Sequence, residues 1–337
     1  MKKLTRETSS KKVREVIHNR AESPILIRRR LSLFKRALLG ADKEKEAPLS
    51  LRGIPKTDTD IKQFDGLKIQ AVIFKSEKSI VYHATVLGTS HQLALKAPTE
   101  CGLANREWLS SFKHEIRVLR RIEHPGIVQM TRAAKISERP FYTSNLILGK
   151  NGAVAPSLSQ LLSETKISTG TAVRYIRELC ATLSWLHDSG ILHGDISLSN
   201  IVIDESDRPK LLDFNLAVFL DERGRPVGPI ARGGTFGFAP PERFTEEWGL
   251  MGTYSDVFGI GAVLKWLLIN RVPSLWRDFA VAPRRNLEGL PLFQISAQTL
   301  PSEIPQKLRA IVAKCLERNP RRRYRDCSSL VDALSKF

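Results

Sequence analysis

The 337-residue chain has no run of 18 or more apolar residues, so no membrane-spanning helix is expected. Its first residues, MKKLTRETSSKKVREV, lack the apolar stretch of a secretory signal. Cysteine is sparse: Cys101, Cys180, Cys315 and Cys327 lie at wide, irregular intervals. That spacing suits neither a zinc site nor a disulfide framework, and it points to a reducing, intracellular setting, cytoplasmic or nuclear. No internal repeat is visible. Acidic residues are outnumbered, 35 Asp and Glu against 53 Lys and Arg, for a formal charge of +18.

The positive charge is concentrated at the N-terminus. Residues 1–50 hold 14 Lys or Arg against 6 Asp or Glu, an excess of eight. Such a field attracts an acidic partner, nucleic acid or an anionic membrane surface. Only Phe34 is interleaved with the arm's charges, so stacking on bases is not supported. Ile27, Leu31, Phe34 and Leu38 recur at helical offsets, with Arg28, Arg29, Arg30, Lys35 and Arg36 around them. The pattern fits a nuclear-import patch, a membrane-surface or docking helix, or a helix packing its stripe on the following domain. Pro48, Gly53 and Pro55, followed by Thr57, Asp58, Thr59 and Asp60, read as a linker.

From about residue 67 the pattern changes. Leu67–Phe74, Ser79–Leu87 and Gln92–Ala97 are short runs rich in Val, Ile, Leu and Tyr that predict strands, and Ile127–Ala133 and Pro140–Leu148 predict two more. Trp108–Ile122 between them has a helical period. After Ser157, apolar residues three and four apart predict helices over Leu158–Glu164, Thr171–Ser189, Ser255–Leu268 and Pro305–Glu317. A five-stranded first lobe and a helical second lobe make an α+β layout with a cleft between them. The boundaries expected are an arm and linker over 1–62, a first lobe over 63–148 and a second over 149–337.

Several motifs follow one another in a telling order. Leu93-Ala94-Leu95-Lys96 places a lysine on a strand, and Glu115 follows on the next helix. His193-Gly194-Asp195-Ile196-Ser197-Leu198-Ser199-Asn200 is followed thirteen residues later by Asp213-Phe214-Asn215. Gly234-Thr235-Phe236-Gly237-Phe238-Ala239-Pro240-Pro241-Glu242, Asp256-Val257-Phe258-Gly259-Ile260-Gly261 and Asn319-Pro320-Arg321-Arg322-Arg323 complete the set. Through roughly residues 67–337 the chain resembles the protein kinases. The last three motifs separate it from small-molecule kinases that share the histidine-glycine-aspartate triplet.

The resemblance implies a two-lobed fold, ATP and Mg²⁺ as cofactors, and transfer of phosphate to Ser or Thr of a protein substrate. It makes Asp195 the catalytic carboxylate, and Asn200 and Asp213 the metal ligands. Lys96 would contact the α- and β-phosphates, aligned by Glu115. Val81 and Ala94 would cover the adenine, with Val202 beneath it. Leu119, Phe214 and His193, tied to Asp256, would form the column of the active state. Glu242 would pair with Arg323 in the interior.

The departures from the family pattern carry their own expectations. Phe74, Ser76 and Ser79 occupy the glycine positions of the phosphate loop, where glycine lets backbone amides close over phosphates. Losing all three should weaken the grip on ATP, or reshape the loop so that Ser76, Lys75 or Lys78 contacts the phosphates instead; Ser76 and Ser79 are placed in the nucleotide site. A scaffolding pseudokinase is the alternative. Asn215 replaces a glycine, and asparagine tolerates a left-handed backbone. Ser197 replaces a lysine that steadies the γ-phosphate, while Thr235 matches the docking-segment threonine of Ser/Thr kinases. Gly194 replaces the arginine that reads an activation-loop phosphate. Residues 216–234 contain no Ser, Thr or Tyr, so activity is expected without phosphorylation of that stretch. In the arm, Arg29-Arg30-Leu31-Ser32 fits a basophilic kinase target.

Overall fold

The computed structural model describes residues 63–273 and 300–337, apart from 137, 229, 231–232, 236, 245–248 and 336. The readings made for the basic arm, its amphipathic stripe, Ser32 and the linker lie outside the described residues.

The N-terminal part is a six-stranded antiparallel sheet in the order β1-β2-β3-β4-β6-β5. Its strands are β1 (Gln63–Phe64), β2 (Leu67–Lys75), β3 (Ser79–Val86), β4 (Gln92–Pro98), β5 (Met130–Ile136) and β6 (Arg139–Asn145). The five expected strands are present, with β1 as a two-residue addition at the edge. Alternation assigns the faces. Tyr82, Ala84, Leu93 and Leu95 are buried in one apolar cluster with Leu67 and Phe141. Val81 pairs with Lys96 and His83 with Ala94, so these four share the other face.

Two helices separate β4 from β5: α1 (Glu100–Ala104) and α2 (Arg106–Leu119). Asn105 caps α2 by accepting the Trp108 N–H at 2.9 Å, and Phe112, Ile116 and Leu119 bury one face of it. The run Ile127-Val128 does not enter the sheet, and β5 begins three residues later than expected. Ile127 bridges Leu211 and the Val128 N–H donates to the Leu211 carbonyl, so this pair packs toward the helical part.

The helical part holds α3 (Leu158–Glu164), α4 (Thr169–Asp188), α5 (Thr253–Ile269), α6 (Gln306–Cys315) and α7 (Cys327–Leu334). Ser157 and Gln160 form a capping box on α3, and Ser168 caps α4. Helix α5 is apolar on all sides and is buried almost throughout. Its glycines allow close approach: a Cβ on Gly259 would lie 2.7 Å from Ile196 Cβ, and one on Gly261 2.3 Å from Cys315 Cβ. Asn270, left-handed at φ +50°, ends α5 and accepts the Ile167 N–H. Short strands β7 (Ile191–Leu192), β8 (Ile201–Ile203), β9 (Pro209–Leu211) and β10 (Val218–Phe219) support the loops that carry the motifs; β7 pairs with β10 and β8 with β9. Among the described residues, no helix is long and apolar enough to cross a membrane.

Candidate active site

Lys96 leaves β4 on the face opposite the Leu95 cluster, which aims it at α2. Its ammonium lies 2.9 Å from both carboxylate oxygens of Glu115 and 3.3 Å from Asp213 Oδ1. Glu115 is fully buried, and burial lifts its carboxyl from the ordinary 4.5 to about 7 even with Lys96 pulling the other way. Burial alone would weaken the Lys96 cation, but the Asp213 and Glu115 carboxylates hold it firmly protonated. A residue unread in the sequence joins the pair: the buried Tyr142 hydroxyl on β6 donates to Glu115 Oε1 at 2.9 Å. Tyr142 sits opposite Lys96 in the ladder, the position from which a strand tyrosine reaches across.

The loop that carries His193 to Asn200 hangs from Asp256 in the first turn of α5. Its carboxylate accepts the N–H of His193 and of Gly194, each at 2.9 Å, and lies 2.8 Å from His187 Nε2. Although burial would raise it, the His187 contact and the Gly194 N–H hold the Asp256 carboxyl below its usual range. Asp195 projects from this anchored loop. The Asn200 side-chain amide donates to Asp195 Oδ2 at 3.0 Å and to its carbonyl at 2.8 Å, while the Thr235 N–H donates to Oδ1 at 2.7 Å. The carboxylate is thus held between the loop carrying Asn200 and the segment carrying Thr235.

Phe214 is fully buried with its ring 4.6 Å from that of His193, and Leu119 lies in the same core. Asp213 takes a left-handed backbone, φ +61°, which costs a non-glycine residue roughly 1–3 kcal/mol. Asn215 is not among the residues with positive φ. The expectation that position 215 needs left-handed tolerance is therefore corrected: the unusual torsion falls two residues earlier, on the proposed metal ligand. Val81 and Ala94 lie on the half-buried face of the sheet with Lys96, and Val202 is buried on β8. Ser197 is buried too, its hydroxyl 3.1 Å from that of Ser199.

The turn between β2 and β3 is closed by its own side chains. Ser76 Oγ accepts the N–H of Ser79 at 3.0 Å and of Lys78 at 3.3 Å, and lies 3.0 Å from Ser79 Oγ. The amides that an open phosphate loop would offer are spent internally. Ser79 is almost fully buried, whereas Phe74 is exposed. The turn is also fixed from behind: the Thr99 N–H donates to the Lys78 carbonyl at 3.0 Å, and a Cβ on Gly102 would lie 2.1 Å from that same oxygen.

In the interior of the helical part, Arg323 grips Glu242 with two bonds of 2.7 and 2.9 Å, both side chains fully excluded from solvent. Ser255 Oγ adds a third bond to Glu242 at 2.8 Å. This is the buried pair expected from the sequence, and it fixes the segment that begins at Gly234.

Comparison with known proteins agrees with this geometry. The family model described as "Protein kinase domain" matches residues 72–333. The chain belongs to the protein kinase family. Its curated relatives include CBL-interacting serine/threonine-protein kinase 20 of Arabidopsis thaliana, 23% identical over 73% of this chain and 53% of the relative. Serine/threonine-protein kinase PLK4 of Drosophila grimshawi is 26% identical over 77% of this chain and 32% of its own length. Putative CBL-interacting protein kinase 13 of Oryza sativa subsp. japonica is 26% identical over 62% and 40%. The chain spans about half or less of the length of these relatives.

Kinases of this family generally use ATP and Mg²⁺, and the residues here fit the ion. Magnesium favours oxygen ligands and takes few from protein when phosphates supply the rest. Asp213 Oδ1 is buried and, apart from the Lys96 ammonium 3.3 Å away, meets no hydrogen-bond partner among the described residues. The Asn200 amide nitrogen is committed to Asp195, which leaves its carbonyl oxygen for a cation.

Proposed function

We propose that this kinase transfers the γ-phosphoryl group of ATP to Ser or Thr hydroxyls of a protein substrate, with no phosphate required on residues 216–234. The observation that carries this reading is the Asp195 carboxylate, held at once by Asn200 and by the Thr235 backbone. In this reading Asp195 receives the hydroxyl's proton between the proposed metal site and the docking segment.

In this reading a bond forms between the substrate oxygen and the γ-phosphorus as the β–γ bridging P–O bond breaks. The hydroxyl proton passes to Asp195. Asn200 and Asp213 would hold Mg²⁺, which would supply charge neutralisation for the triphosphate. Lys96, fixed by Glu115 and Tyr142, meets the α- and β-phosphates, and Val81, Ala94 and Val202 enclose the base. The substrate class is supported by the docking segment locked through Glu242 and Arg323 and by the Ser/Thr kinases among the relatives.

A second reading, a binding module with the kinase fold and no transfer, is favoured by one observation: Ser76 consumes the amides of the phosphate turn. Two measurements separate them. Nucleotide binding with and without Mg²⁺ comes first, and transfer of labelled γ-phosphate to protein, with Asp195→Asn as control, comes second. Metal-dependent binding and a loss of about 10³-fold or more in the control support the enzyme. Equal labelling by the control defeats it. Phosphatase treatment leaving the rate unchanged is the expected outcome for phosphate independence.

A further inference from the structure

We propose that Arg243 is a positioning residue that permanently clamps the catalytic loop to the segment following Asp213. The inference rests on the assignment of Asp195 as the catalytic carboxylate. It starts from Gly194, whose φ of +76° disfavours any side chain. A Cβ there would lie 2.5 Å from the Leu216 carbonyl oxygen and 2.6 Å from Arg243 Nη2. The space beside residue 194 is therefore already filled by a guanidinium that arrives from another part of the chain.

Arg243 ends the short turn Pro241–Arg243, immediately after the Glu242 that Arg323 holds. Its backbone is thereby anchored, and its side chain is buried. Nη2 donates to the Leu216 carbonyl at 2.7 Å, Nε to the Gly194 carbonyl at 3.3 Å, and Nη1 lies 3.6 Å from Met251 Sδ. Gly194 precedes Asp195, and Leu216 lies three residues after Asp213. One rigid, planar fork thus sets the spacing between the loops that carry the two carboxylates. Burial lowers the Arg243 pKa below the usual arginine value, and Asp195, Asp256 and Glu242 offset part of that. A cation so placed is kept by its carboxylates and would be costly to strand.

The segment being clamped also closes on itself. The Val227 N–H donates to the Phe219 carbonyl at 2.8 Å, and Asp221 Oδ1 accepts the N–H of Arg223 and of Arg225, each at 2.9 Å. With no hydroxyl side chain from 216 to 234, no reversible phosphate on Ser, Thr or Tyr can tighten this stretch. Arg243 fixes it by direct contact.

The test compares wild type with Arg243→Met and Arg243→Lys in the full chain, reading kcat, KM for Mg·ATP and amide exchange. Arg243→Met is expected to lose about 100-fold in kcat, the scale of a small misplacement of catalytic groups, with KM changed by less than about threefold. Exchange should accelerate about tenfold or more at residues 194–195 and 216–219 and stay unchanged in β2–β6. Arg243→Lys should recover part of kcat, because one ammonium cannot span both carbonyls. Unaltered exchange at those two segments overturns the clamp. So does a uniform rise in exchange together with lost nucleotide affinity, which would make Arg243 a general packing residue. Wild type without transfer activity defeats the proposed function, and the exchange measurement, set against Asp195→Asn, then still decides on the clamp.

Discussion

The turn at residues 76–79 and the loop at 193–195 have departed from the family pattern in opposite directions. The turn carries Ser76 and Ser79 where the family has glycines, and the serines tie it shut. The loop carries Gly194 where the family has an arginine, and the glycine opens a space that Arg243 enters. Both loops end more fixed than their pattern would suggest. In one, local side chains satisfy the backbone; in the other, removal of a side chain admits a distant one. Glycine content by itself therefore says little about how mobile a loop is. What counts is where the neighbouring donors and acceptors find partners.

The largest effect is expected where the segment that supplies Arg243 is cut loose. Arg323→Ala strands the buried Glu242 carboxylate and should cost about 3–5 kcal/mol, read by denaturant unfolding. Unchanged stability would mean that the 234–244 segment is held by something other than this pair. Next, Gly194→Ala meets both a positive φ and the Leu216 carbonyl. Transfer should fall by about 100-fold or more, while stability drops by only about 1–3 kcal/mol. A variant of normal rate would remove the argument that this space is already taken.

The turn should respond with the other sign. Ser76→Gly frees the amides of Lys78 and Ser79, so KM for Mg·ATP should fall about three- to tenfold, with a small loss of stability. A rise in KM would show that the serine itself holds the phosphates.

The smallest effect is a pH shift. With the Glu115 carboxyl near 7, its ion pair with Lys96 forms as pH rises, so kcat/KM should climb through about pH 7. The linkage to stability runs the other way. The folded state binds this proton more tightly than the unfolded chain, so Glu115's contribution is full below about 4.5 and is lost as pH rises toward 7. Tyr142→Phe removes a bond that favours the carboxylate and should move the activity limb to higher pH. A limb that stays in place would detach Tyr142 from the site.

Much of this was legible in the sequence because strand alternation and motif spacing are local signals. Ser79–Val86, Gln92–Pro98 and Leu158–Glu164 fall within a residue of where pattern places them. The Lys96–Glu115 and Glu242–Arg323 pairs came from resemblance. What escaped was non-local. Ile127 and Val128 have strand chemistry but are drawn to Leu211. Tyr142 reads as an ordinary strand aromatic until its hydroxyl is seen against Glu115. Arg243 lies 49 residues from Gly194, and only folding brings them together. Helix α1 is a single short turn containing Gly102, which no period could reveal. The left-handed backbone of Asp213 follows no local pattern in the sequence.

The Asp221 hairpin has a consequence for handling the protein. Trypsin needs an open stretch of chain on either side of the bond it cuts. The Arg225–Pro226 bond resists trypsin because proline follows the arginine, which leaves the Arg223–Gly224 bond. Arg223 stands exposed at the tip, yet its N–H donates to the Asp221 carboxylate at 2.9 Å and the Gly224 N–H to the Asp221 carbonyl at 2.8 Å. Cleavage there must wait for the tip to fray, so the rate of nicking under dilute trypsin serves as a clock for how often this part of the molecule opens.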